Sequence, residues 1–445
     1  MSLTSFFQRK RYWIDDYLHG GKMWKQFRDV SLLMTQQGIA DGVRDQYLET
    51  MLEYAKQNIC FYQDLGDVKN LEEFPVINKK IIKERYSDFI APIDIIPCQE
   101  GNLHIQKTSG STGTPFEIPQ DTRCRIRRIA TIKAENERLG FHSFEPMMHL
   151  RAIKHYWDWT HDDIVYRKDL NIVYADNSNL DERKLRKIVD AINHYKVKVV
   201  RGYMTTLDTL SRYVVEHDLD MAVHPTFISV GEPLLESLRL RIIDMGCRIV
   251  SQYANEENGV FGQSPINQPG SNIILNGANC IVEILKIGSD EPVADNELGR
   301  IVVTDFTNYA LPMIRYEIGD AAMVGDIKNG RIVSLKNLSG RTTDLIYRTD
   351  GTTIDMFNSM PPTIYNGELV KQWQFVQHNA LSYSLTISTD FPDVVSAKRR
   401  EYENALKCIL GDDAAVSILV VNEIPVMMSG KRKTVVSEYK NKSQI

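Results

Sequence analysis

The chain has 445 residues, of which 43% are hydrophobic and 25% charged, an ordinary globular balance in a chain longer than one hydrophobic core usually supports, so two or three domains are expected. With 53 Lys and Arg against 58 Asp and Glu, the formal charge is −5, which offers no general attraction to nucleic acid or anionic lipid; the expected partner is a small molecule.

From residue 1 to 24 charges recur without an apolar h-region, and no later stretch approaches the ~20 apolar residues of a membrane span. The six cysteines are scattered and none has Cys-x-x-Cys spacing, so they read as reduced thiols and not as a zinc or redox site. The chain reads as a cytoplasmic protein. Residues 24 to 57 carry long side chains without proline, a helical pattern, and residues 77 to 89 read as another helix after a turn at Pro75. From about residue 181 the period repeats: a helix (181–195), the β-branched run Val197-Lys198-Val199-Val200, a helix (205–217), a strand (226–230), a helix (234–245) and a strand (247–250). Alternation of this kind predicts βαβ units in a mostly parallel sheet, with ligands at the carboxyl ends of the strands. Beyond residue 272, shorter β segments such as 281–285 and 300–304 suggest a β-rich subdomain. After Gly340 a compact α+β pattern restarts: strand 383–388, helix 394–410, strand 415–421. The division expected is 1–340, a hinge at 341–345, and a C-terminal unit at 346–445.

The strongest local motif is Thr108-Ser109-Gly110-Ser111-Thr112-Gly113-Thr114-Pro115. Hydroxyls alternate with glycines that let the backbone approach a phosphate closely, yet the Gly-Lys-Ser/Thr ending of a kinase P-loop is missing. By composition alone the same stretch can be a flexible linker. The aromatic segment from His155 to Asp163 reads more readily as a pocket wall than as a metal cluster.

With these motifs the chain resembles the adenylate-forming superfamily of acyl-CoA synthetases, and within it the phenylacetate-CoA ligase branch that includes CapK-like proteins and coenzyme F390 synthetase. The likeness runs from about Phe61 to Val436. It is carried in order by Phe74-Pro75-Val76-Ile77-Asn78-Lys79, the Ser/Thr/Gly loop, Gly202-Tyr203-Met204-Thr205-Thr206-Leu207, Val230-Gly231-Glu232-Pro233 and Gln252-Tyr253-Ala254-Asn255-Glu256-Glu257. The segment from Leu311 to Asp320, then Gly340-Arg341-Thr342-Thr343-Asp344 and Ser429-Gly430-Lys431 complete it.

The resemblance implies a large α/β adenylation domain with a β-rich subdomain and a small mobile α+β lid. It implies ATP and Mg²⁺ as cofactors and a carboxylic acid joined to AMP with release of pyrophosphate. Transfer to CoA, giving a thioester, would follow; some relatives leave room for an amine acceptor in surface-polysaccharide assembly, or for a scaffold without catalysis. Residues Ser109 to Thr114 would hold the β- and γ-phosphates. Gly231, Glu232 and Pro233 would border the adenine, which Tyr253 would stack on. Asp320 would accept from the ribose hydroxyls, and Arg341 would add a positive fork near ribose and phosphate. Glu257 would hold Mg²⁺. The family pattern there is Tyr-Gly-x-Ser/Thr-Glu, so Ala254 and Glu256 depart from it, and either Glu256 joins the metal or Asn255 takes the phosphate contact. Lys431 would be the catalytic cation that meets charge developing on the substrate carboxylate and α-phosphate. Gly340 to Asp344 would be the hinge, with Thr343 where relatives often have Asp or Lys, and Asp350-Gly351 would face the site after rotation. The sequence leaves the acid's identity and the oligomeric state, a dimer included, open.

Overall fold

The computed structural model describes residues 3–35, 37–107, 116–153, 162–354, 356, 360–365, 369–424 and 434–439. Three helices open the chain, α1 (Leu3–Leu18), α2 (Lys22–Thr35) and α3 (Gln37–Asn58). The Asp16 carboxylate accepts the amides of Met23 and Trp24 at 3.0 and 2.9 Å. That bond satisfies donors that the first turn of α2 leaves unpaired. A hairpin follows, β1 (His104–Lys107) antiparallel to β2 (Glu117–Gln120), and then the helix α4 (Thr122–Arg138). Arg127 of α4 is 1% exposed. Its guanidinium is satisfied by Asn279 Oδ1, the Ala278 carbonyl, Gln26 and Asp29, which pins α2 and α4 to the sheet beneath.

The middle of the chain alternates as the sequence predicts: β3 (Met147–Arg151), β4 (Ile164–Arg167), β5 (Ile172–Asp176), α5 (Glu182–His194), β6 (Val199–Tyr203), α6 (Met204–Glu216), β7 (Thr226–Val230), α7 (Glu236–Asp244) and β8 (Arg248–Asn255). Next come β9 (Gly259–Gln263), β10 (Ile273–Leu275), β11 (Cys280–Leu285), β12 (Leu298–Asp305), β13 (Tyr316–Val324) and β14 (Ser334–Arg341). Together these form one 13-stranded sheet in the order β11-β12-β13-β14-β10-β9-β8-β7-β6-β3-β5-β4, with the two-residue strand Ile77–Asn78 parallel to β13. Strands β5, β3, β6, β7 and β8 are parallel; from β9 to β14 neighbours run antiparallel. The β segments beyond residue 272 are thus hydrogen-bonded into the main sheet. One face of the parallel half, with Met148, Leu150, Val173, Val200, Phe227 and Ile249, packs under Ile188 of α5, Leu207 of α6 and Leu238 of α7.

Past the 3₁₀ turn Thr342–Asp344, a second sheet of four strands has the order β17 (Ala415–Val421), β16 (Ser382–Ser388), β15 (Gln372–Gln377), β18 (Val435–Ser437). Its core of Phe375, Tyr383, Leu385, Ile387 and Leu410 includes the helix α8 (Arg399–Leu410). Two local expectations change. The region 77–89 starts as a strand before turning into the helices Lys79–Glu84 and Tyr86–Phe89, and the helix expected at 394–410 divides into Pro392–Ala397 and α8 at Lys398. No helix among the described residues is long and apolar enough to cross a membrane.

Candidate active site

The site assembles where the parallel and antiparallel halves of the sheet meet. Strand β8 runs to Asn255, five residues past the sequence-predicted end at 250, so the whole Gln252 to Asn255 motif lies on its carboxyl end. The Tyr253 hydroxyl donates to Asp320 Oδ2 at 2.9 Å. Asp320 is on β13 opposite Arg341 of β14, and Arg341 Nε lies 3.5 Å from Asp320 Oδ1. Arg341 also donates from Nη1 to the Ile318 carbonyl at 2.7 Å. The close approach needs glycine at 319: its φ is +84°, and a Cβ there would stand 3.0 Å from Arg341 Nη1. Asp320 is the chief cause that holds the Arg341 guanidinium above its ordinary range, while burial and then Asp320 push the Tyr253 phenol well up.

Glu257 comes one turn later. Burial raises its carboxyl above the ordinary range, opposed by Lys79 and Arg341 and reinforced by Glu256. Burial lowers the Lys79 ammonium, with Glu257 pulling it back. Lys79 opens the short helix Lys79–Glu84, whose first amides are capped by Asn78 Oδ1, accepting from Lys80 and Ile81 at 3.0 and 3.1 Å. Its ammonium stands 5.3 Å from the Phe116 ring centroid, just past the hydroxyl and glycine loop. The sequence marks Lys79 only as the end of a motif; the helix cap Asn78 directly before it is the signal that could have singled it out.

The neighbouring carboxylate points elsewhere. Glu256 is exposed and accepts from Gln106 Nε2 of β1 at 2.7 Å, and its carbonyl accepts from Arg128 of α4 at 2.7 Å. The Asn255 side chain is spent on the turn: its Oδ1 accepts from the Asn258 amide at 2.6 Å and its Nδ2 donates to Asn258 Oδ1 at 3.1 Å. Ala254 pairs with Val260 across β8 and β9. The Gln106 bond brings the end of β1 beside Glu256.

On the next strand, Gly231 follows β7 with φ +72°, a conformation that costs glycine little. The turn aims Glu232 back at α6, where its carboxylate accepts from the Thr205 amide at 2.9 Å and the Thr205 hydroxyl at 3.0 Å. A carboxylate at a helix N-terminus is stabilised there by the unpaired amides. Gly231 and Pro233 are exposed on the same turn.

Tyr253, Glu257, Asp320 and Arg341 are therefore one cluster, with Lys79 added, while Glu232 and Gly231 border it from β7. Ser109, Gly110, Ser111, Thr112, Gly113, Thr114 and Lys431 lie outside the described residues, as does most of the segment from His155 to Asp163. Among the described residues no three His, Cys, Asp or Glu side chains form a metal-holding group. Mg²⁺, however, is held by one or two carboxylates with phosphate oxygens and water. A half-buried carboxylate whose ionisation burial and Glu256 oppose fits that role, because a dication relieves both penalties.

This fold is shared with solved CoA ligases. The chain superposes on 2-hydroxyisobutyryl-CoA ligase in complex with 2-HIB-AMP in the postadenylation state, with a TM-score of 0.69 and 15% identity over 91% of each chain. Against the same ligase with 2-HIB-AMP and CoA in the thioesterification state the TM-score is 0.55, at 16% identity over 92% of this chain and 91% of that one. The anthranilate CoA ligase AuaEII in complex with anthranoyl-AMP gives 0.55 at 15% identity, over 74% of this chain and 65% of that one. In sequence the chain is 24% identical over 425 residues to Protein CapK of Staphylococcus aureus, covering 89% of both. No family model matches.

Proposed function

We propose that the protein is an AMP-forming ligase that activates a carboxylic acid. The carrying observation is the convergence of Tyr253, Asp320, Arg341 and Glu257 on one rim of the sheet, beside the Glu232 turn. The fold it shares with ligases bound to acyl-AMP supports the same reading.

Asp320 accepts the ribose hydroxyls, Arg341 faces ribose and α-phosphate, and Tyr253 and Gly231 to Pro233 flank the adenine. Ser109 to Thr114, leaving the hairpin beside Glu256, wrap the β- and γ-phosphates. Glu257 holds Mg²⁺, which neutralises charge on the phosphates when bound. A carboxylate oxygen of the acid attacks the α-phosphorus, an anhydride bond forms and pyrophosphate leaves; Lys431 meets the charge that accumulates. In the second step the CoA thiolate attacks the acyl carbon and AMP leaves. Residues 346–445 act as the lid, turning at 341–345, and the protein works in the cytoplasm.

The test is pyrophosphate release from ATP and Mg²⁺ over a panel of aryl, fatty, amino and uronic acids, each with and without CoA. Acid-dependent release that CoA accelerates, with a thioester as product, is expected. Turnover indifferent to CoA assigns another acceptor such as an amine, and nucleotide binding without turnover on any acid identifies a scaffold.

Glu257→Gln should raise the Mg²⁺ concentration for half-maximal release by about tenfold or more. In the native protein the same Mg²⁺ requirement should rise as pH falls into the raised titration range of Glu257, since a protonated carboxyl gives up its metal. A Mg²⁺ titration unchanged in Glu257→Gln would move the role to Glu256.

A further inference from the structure

The parallel half of the sheet has a second face, opposite α5 to α7. In register across it lie Tyr174 of β5, His149 of β3, Arg201 of β6, Ile228 of β7 and Val250 of β8. The chain leaves β3 toward β5 on one side and returns to β6 on the other. The crevice at the carboxyl end of β3 is therefore the topological switch point, the place where sheets of this kind bind ligands.

A cation sits at that point. Burial depresses the Arg201 guanidinium to about 10, and it is the sole cause; among the described residues no carboxylate offsets it. Nearby lie the hydrophobic residues Leu139, Phe141, Met147, Val199, Ile228 and Val250. His149 beside it is pressed down to about 3 by burial, then by Arg201 and Arg151, so its ring is neutral, and its contact with Tyr174 is edge-on at 5.8 Å. Two strands over, Gln252 is in line with Val230 and Tyr203. It is 2% exposed, yet neither its amide oxygen nor its nitrogen has a hydrogen-bond partner. A buried amide left unpaired on both atoms is destabilising, and a bound ligand that pairs it removes that cost. Gln252 directly precedes Tyr253, and Tyr203 is two residues, about 6–7 Å of strand, beyond Arg201. The unpaired amide thus lies between the nucleotide cluster and the cation.

We infer that the acid is a dicarboxylic acid: one carboxylate is presented to the nucleotide at the Tyr253 end, and the second is held by Arg201, with the His149 ring beside it and the Gln252 amide along the way. The inference rests on the adenylation reading and narrows its substrate class. An apolar floor with a guanidinium that no carboxylate among the described residues offsets suits a hydrocarbon chain that ends in an anion and disfavours its neutral analogue.

The experiment compares succinate, glutarate and adipate with their monoamides and with the monocarboxylates of equal length, in acid-dependent pyrophosphate release by the full chain. At least one diacid should exceed its monoamide in kcat/KM by about tenfold or more. Arg201→Gln should abolish that preference by lowering the diacid value while the monoamide value stays within about threefold; Arg201→Lys should restore part of it, which separates charge from a folding defect. Monoamides or monoacids used as well as diacids, or a preference that survives in Arg201→Gln, would overturn the inference and leave the adenylation reading standing. If no acid releases pyrophosphate, calorimetric titration with the same diacids decides. Binding lost in Arg201→Gln retains the anion site and removes the adenylation reading, and no binding overturns both.

Discussion

Lys431→Ala should slow acid-dependent pyrophosphate release by about a hundredfold or more, the usual loss when one preorganised donor to a developing charge is removed, with ATP affinity changed by no more than about threefold. Its position in the chain gives the expectation a structural frame. Thr434 accepts the Phe375 amide at 2.8 Å, and β18 then runs parallel to β15 from Val435. The same strand packs against the 3₁₀ turn Thr342–Asp344, which directly follows Arg341. Lys431 itself lies outside the described residues, three positions ahead of Thr434 in the chain. A cation used only as the charge develops lowers kcat and spares ground-state binding. Single-turnover formation of acyl-AMP is the measurement, and an unchanged rate would remove Lys431 from the chemistry. If ATP affinity falls as steeply as the rate, the lysine binds the nucleotide uniformly instead.

Asp320→Ala should raise the KM for ATP by about 10- to 100-fold, the equivalent of one charge-assisted hydrogen bond at about 1.5–3 kcal/mol. Two effects combine. The ribose loses its acceptor, and Arg341 loses the anion that chiefly sustains its charge and fixes its fork. The Tyr253 hydroxyl also loses its partner at 2.9 Å, which frees the ring meant for the adenine. Asp320→Asn keeps an acceptor for Tyr253 without the charge and should fall between the two. Steady-state titration of ATP at saturating acid reads the difference. A KM for ATP unchanged in Asp320→Ala would show that the carboxylate only braces β13 against β14.

Much of this protein is legible along the chain. The alternation from residue 181 to 255 gives the parallel strands and their helices because helical and strand periods of hydrophobicity differ, and each element here buries one face against the other. The order of short motifs gave the resemblance to the adenylate-forming ligases, and the fold is one that solved CoA ligases share. Local chemistry also sets the Asn78 cap of the Lys79 helix and the Gly231 turn, where a positive φ selects glycine.

Other features exist only in three dimensions. Residues 77 and 78 are a strand because β13, more than 230 positions away, offers an edge in register, and no periodicity within two residues can announce that. Asp320 and Arg341 look like separate motifs until the register of β13 and β14 sets them opposite each other. Glu256 and Glu257 are adjacent acids in sequence, and burial alone separates them: one meets Gln106 in the open, the other is enclosed with Lys79 and Arg341. Arg201 is the sharpest case. In sequence it is a charge between Val200 and Gly202, at the end of a β-branched run, where a solvated strand edge is the natural reading. Only the parallel pairing of β3 and β6 sets it beside His149 at the switch point, where burial lowers its guanidinium and no carboxylate among the described residues offsets it. Sequence by itself determined which elements form and which superfamily they resemble, since propensity, hydrophobic period and motif order are local. Tertiary structure decided which charges meet, which are buried and which remain unpaired, because burial and strand register are properties of the assembled sheet.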